Sequence, residues 1–130
     1  MNGRKRILVL DSDTDLLITL QGVLEDSGFS SIATQEVDEA TDLLATHYFD
    51  FFVVGNRPPK INARHMIHDI RERGIQCGCY VIGAEGLHKD GLSNLIDCVQ
   101  AYPCSTQTPA RYLLNSGYAH EALAGMGHGN

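Results

Sequence analysis

Asp11, Ser12 and Asp13 follow directly on the apolar run Ile7-Leu-Val-Leu10, so the first polar groups after that run are two carboxylates and a hydroxyl. Asp11 with only Asp13 beside it makes a poor Mg²⁺ site, because that ion demands near-octahedral oxygen ligands. Ser12 and Ser105 have no histidine base placed beside them, which leaves a serine hydrolase without its mechanism. His65, His68 and Asp69 have the i, i+3, i+4 spacing of helical metal ligands. No further ligand is identifiable nearby, so they read as surface residues. Cys77-Gly-Cys79 places two sulfurs on one strand face, where a zinc site would also need Cys98 or Cys104 to converge. The four cysteines read instead as free, semi-buried thiols.

Residues 57 to 73 are the basic part of the chain, with Arg57, Lys60, Arg64, Arg71 and Arg73 alongside His65 and His68. Such a cluster suits an anion or an acidic partner. A solvated helix face with ordinary pairs such as Asp69 and Arg73 at i, i+4 accounts for it better. No aromatic residue interleaves the basic ones, as single-strand binding would want. Neither G-x-G-x-x-G nor G-x-x-x-x-G-K-[ST] occurs, so nucleotide binding has no positive support.

The elements that must position these groups alternate between short apolar runs and amphipathic stretches. Ile7 to Leu10 suits a strand buried on both faces. Asp13 or Thr14 can cap a helix with Leu16, Leu20, Val23 and Leu24 on one face, ending at Gly28. Phe29 to Ala33 reads as a second strand, and Glu36 to Thr46 as a helix with Ala40, Leu43 and Leu44 inward. Phe51 to Val54 is the third strand, stopping at Gly55. The loop Asn56-Arg-Pro-Pro-Lys60 must be irregular, because it holds two prolines. A third helix carries Ala63, Met66, Ile67 and Ile70 and ends at Gly74. Cys79 to Ile82 is the fourth strand, broken by Gly83. Leu92, Leu95 and Ile96 suggest a fourth helix, Val99 to Tyr102 a fifth edge strand before Pro103, and Ala110 to Gly117 a last helix.

This alternation predicts an α/β, doubly wound, flavodoxin-like parallel sheet of five strands in the order 2-1-3-4-5, with helices on both faces. The expectation is one domain over residues 1–130, its core at about 5–117, with 118–130 the end of the last helix and a flexible tail. The composition is 43% hydrophobic and 20% charged, that of a globular chain. A net charge of −6 argues against nucleic-acid binding. No apolar run approaches the length of a membrane span, and no secretory segment is recognisable at the start. A cytoplasmic protein is expected.

In a doubly wound sheet, ligands and reactions gather at the carboxyl ends of the strands. The groups there are Asp11, Ser12 and Asp13; Gly55, Asn56 and Arg57; Gly83, Ala84 and Glu85; and Cys104, Ser105 and Thr106. Here the chain resembles the receiver domain of two-component response regulators. The resemblance rests on Ile7-Leu-Val-Leu-Asp-Ser-Asp13 and on Phe49-Asp-Phe-Phe-Val-Val-Gly-Asn-Arg-Pro-Pro59, and covers roughly residues 5 to 117.

The resemblance implies an aspartate nucleophile at the end of the third strand, two acids for Mg²⁺, a hydroxyl after the fourth strand and a lysine after the fifth. Asp11 matches the first acid, but Ser12 stands at the second. Gly55 stands at the nucleophile, Gly83 at the hydroxyl and Ser105 at the lysine. Tyr102 matches the aromatic switch position and reads as an interface residue, since Gly83 gives it no hydroxyl to follow. The chain is thereby identified as a degenerate, pseudo-receiver member of bacterial signalling: not an enzyme, without metal or cofactor. Its expected role is a phosphorylation-independent interaction or dimerisation module. The expected partner is a protein or an attached effector or kinase domain, or a second copy docking through the fourth helix, fifth strand and fifth helix. Two other readings remain open: a small-ligand or anion sensor using the emptied cleft, and a phosphorylatable receiver whose site is misregistered.

Overall fold

The computed structural model describes residues 4–83 and the strand Cys98–Gln100. Along the chain run β1 (Arg6–Leu10), α1 (Thr14–Asp26), β2 (Ser30–Thr34), α2 (Val37–Thr46), β3 (Phe51–Gly55), α3 (Ala63–Glu72), β4 (Gly78–Ile82) and β5 (Cys98–Gln100). The first four strands are parallel in the order β2-β1-β3-β4, and β5 runs parallel to β4 as its neighbour. The fifth strand thus begins one residue before the expected Val99. Tyr102, Ser105 and the two helices expected in the last third lie outside the described residues.

Full burial on both faces explains the unbroken apolar runs Ile7–Leu10, Phe51–Val54 and Cys79–Ile82 of β1, β3 and β4, whereas β2, with Ser30, Ser31 and Thr34, is only partly buried. Leu8, Leu10, Phe52, Val54, Cys79 and Val81 face α2 and α3 in one core cluster, with Ala40, Leu44, Ala63, Met66, Ile67 and Ile70. Ile7, Val9, Val53, Tyr80 and Ile82 point to the other face, where Leu17, Leu20 and Leu24 of α1 cover them. Alternation along each strand therefore feeds two cores rather than one core and solvent.

The buried stripe of α1 contains Leu17 where Leu16 is expected, while Leu16 and Val23 are half-buried. Leu16 and Leu17 are adjacent leucines, and either one continues a helical stripe with Leu20 and Leu24. Packing settles the phase, with Leu17, Leu20 and Leu24 in one cluster with Ile7 and Val9. Asp13 is the N-cap and its side chain accepts from the Leu16 amide. At the other end Ser27 is the C-cap, and Gly28 follows with φ +98°. α3 is capped by Asn62, which accepts from the His65 amide, and Gly74 turns the chain after it at φ +79°.

Among the described residues, no helix is long and apolar enough to cross a membrane.

Candidate functional site

Strand register decides which residues meet at the carboxyl edge of the sheet. Leu10 pairs with Val54, so the next residues, Asp11 and Gly55, emerge side by side. Gly55 pairs with Ile82, which sets Gly83 beside Asn56. Three positions singled out from the sequence, Asp11, Gly55 and Gly83, therefore converge. Ser12 follows Asp11 at the same edge and is half-buried.

Asp11 is the anionic centre of this edge and only 1% exposed. A carboxylate so buried needs charge-assisted partners. Arg57 supplies one: its Nε lies 2.7 Å from Asp11 Oδ1, and the Asp13 amide donates to the same oxygen at 3.0 Å. Arg57 Nη2 also comes within 3.7 Å of Asp13 Oδ2. Asp13 is itself engaged by α1, accepting from the Leu16 amide at 3.1 Å through Oδ1. Arg57, read from the sequence as part of a basic patch, is instead turned into the acidic pocket.

The loop after β3 is fastened on three sides. The Asn56 amide donates to the Ile82 carbonyl at 2.7 Å, and its side-chain Nδ2 donates to the Gly83 carbonyl at 3.4 Å. Asn56 Oδ1 accepts from the Ala63 amide at 3.1 Å, at the start of α3. Arg57 and Ile61 exchange both backbone hydrogen bonds at 2.9 Å, which closes the proline-containing segment into a tight turn. Asn56 thus acts as a structural tie.

This carboxyl edge does not fit Mg²⁺. Asp11 Oδ1 already receives two donors, Asp13 caps a helix, Ser12 brings a hydroxyl rather than a carboxylate, and Gly55 brings no side-chain oxygen. A hard cation would also face the guanidinium of Arg57. Among the described residues, no group of three or more His, Cys, Asp or Glu side chains is arranged to hold a metal. His68 instead lies 3.7 Å from Glu72, and Asp69 pairs with Arg73 at 3.3 Å as its spacing predicts. Cys77 is half-buried and Cys79 buried, and Arg71 Nη2 donates to Cys79 Sγ at 3.4 Å.

The amino edge of the sheet has a carboxylate of its own. Asp50, immediately before β3, is half-buried and bonds across strands. Its Oδ2 accepts from the Arg6 amide at 2.8 Å, and its backbone amide donates to the Arg6 carbonyl at 2.8 Å. Asp50 Oδ1 accepts from the Tyr48 hydroxyl at 3.1 Å. That hydrogen bond and the Asp50 charge raise the Tyr48 pKa above its ordinary value.

Compared with solved structures, the chain superposes on the receiver domain of a Francisella response regulator with a TM-score of 0.79, at 19% identity, over 91% of this chain and 99% of that one. A CheY-like receiver domain protein from Methanospirillum hungatei gives 0.78 at 15% identity, over 92% and 98%. The fold is that of a response-regulator receiver domain. A sensor protein from Polaromonas sp. superposes at 0.72 with 21% identity, over 82% of this chain and 90% of that one. No protein-family model matches the sequence, and no curated protein matches it. In the receiver fold, the edge built by Asp11, Gly55 and Gly83 is the edge at which the strands' carboxyl ends gather. The sequence places Asn56 and Arg57 at this edge but does not disclose the tie made by the one or the ion pair made by the other. A signal was available: neighbouring strands ending in Leu10-Asp11 and Val54-Gly55 bring a base two residues past one strand close to an acid just past the other.

Proposed function

We propose that the chain is a receiver-like domain that takes up no phosphoryl group and works by binding a protein. The observation that carries this reading is Gly55 at the end of β3, in register beside Asp11 with no side chain to attack phosphorus. Phosphoryl transfer to a protein needs a nucleophile and a charge-neutralising cation at one point. Gly83 adds no hydroxyl, and Asn56 is tied to Gly83 and Ala63.

The partner is a protein: an effector or kinase domain in two-component-type signalling, or a second copy docking through the region of β5 and Tyr102. A cytoplasmic, bacterial setting goes with that role.

The test is incubation of the folded chain with acetyl phosphate and phosphoramidate in Mg²⁺, followed by intact-mass measurement. The expected spectrum is unchanged. A phosphoryl adduct on any aspartate sinks the proposal.

A further inference from the structure

We infer that Arg57 is a built-in counter-ion: it occupies the charge position that this fold would offer a divalent cation, and it seals the acidic edge against metal. The inference rests on the reading that this edge takes no phosphoryl group, and it extends that reading to what holds the edge together.

Burial makes a cation necessary. Asp11 is 1% exposed, and an uncompensated carboxylate there would carry a heavy desolvation penalty. The guanidinium meets it at 2.7 Å, within the range of a charge-assisted hydrogen bond. Its second arm reaches toward Asp13 Oδ2 at 3.7 Å, so one planar group spans both acids. An arginine stays charged at every pH the fold survives, whereas a bound metal comes and goes.

The backbone keeps that group in place. Arg57 and Ile61 bond each other in both directions, and Ile61 is fully buried. Immediately before Arg57, Asn56 is tied to Ile82, Gly83 and Ala63. The guanidinium is thus anchored from β3, β4 and α3 while its charge contacts the end of β1. A cation entering here would have to displace a tethered positive charge from an oxygen that already accepts two hydrogen bonds.

Two measurements on the full chain test this. In the first, Mn²⁺ binding is followed by electron paramagnetic resonance, and thermal midpoints are compared in millimolar Mg²⁺ and in a monovalent salt of equal ionic strength. The native chain should take up no Mn²⁺ and show no Mg²⁺-specific shift. The second is a double-mutant cycle of Arg57→Met and Asp11→Asn in urea. Arg57→Met should raise the unfolding equilibrium constant strongly, and Asp11→Asn in the same chain should bring it back down about tenfold or more by removing the orphaned charge. Should Arg57→Met alone fail to fold, refolding of the double variant reads out the same rescue.

Saturable Mn²⁺ binding by the native chain overturns the inference, as does a cycle in which the two substitutions add with no coupling. A phosphoryl adduct accompanied by intact coupling would remove the proposed function and leave the Arg57 pairing standing. The two failures are therefore separable.

Discussion

Asn56 Oδ1 accepts the Ala63 amide at 3.1 Å, so a side chain just past β3 satisfies a backbone donor at the start of α3. The first amides of a helix have no partner within it, and a side-chain acceptor supplies one. The same carboxamide donates to the Gly83 carbonyl. Asn56→Ala should cost about 1–2 kcal/mol in urea unfolding, the scale of a lost helix-terminal acceptor. Asn56→Asp should recover the Ala63 contact but lose the donor to Gly83, and so fall between the two.

Asp13 caps α1 through the Leu16 amide. Asp13→Ala should cost about 1 kcal/mol, and Asp13→Ser should restore most of it, because a serine oxygen also accepts at an N-cap. Amide exchange in the first turn of α1 should speed up in the alanine variant and return in the serine variant. Equal exchange in all three chains would contradict the cap.

Gly28 follows the end of α1 at φ +98°, where a β-carbon is strained. Nothing crowds the position within 4 Å, so backbone conformation alone sets the effect. Gly28→Ala should lower stability by about 1–2 kcal/mol in urea denaturation.

Tyr48 should ionise above its ordinary pKa of 10.0, because its hydroxyl donates to Asp50 and the tyrosinate would lie beside that charge. The folded state thus favours the protonated phenol. The resulting stabilisation is fully present below pH 10.0 and is lost as pH rises through the raised folded value. The difference in tyrosinate absorbance between the native chain and Tyr48→Phe should show a raised midpoint, and Asp50→Asn should bring it down.

The sheet was legible because β1, β3 and β4 each carry a short run of four apolar residues, and Gly28, Gly55 and Gly74 mark where elements stop. The buried stripe of α3 was also readable, since Ala63, Met66, Ile67 and Ile70 leave one helical phase. In α1 the adjacent leucines Leu16 and Leu17 left two phases open, and packing onto Ile7 and Val9 chose between them. The convergence of Asp11, Gly55 and Gly83 followed from strand order. The direction of Arg57 did not. A basic residue in a loop points wherever the nearest buried carboxylate lies, and that depends on a contact across 46 positions of sequence. The tie made by Asp50 was hidden for a similar reason: its partner, the Arg6 amide, belongs to a neighbouring strand.

Asp50 and Arg57 stand at opposite ends of β3, and each bonds a residue at the corresponding end of β1. The two strands are therefore pinned at both ends, like a ladder bolted at its top and bottom rungs. A slip of one residue would turn every side chain of β1 to the wrong core. It would also pull Asp11 away from its guanidinium and the Arg6 amide away from its carboxylate in a single movement. Alignment of the β1–β3 pair is thus written once in an ion pair and once in a carboxylate–amide hydrogen bond, as well as in hydrophobicity.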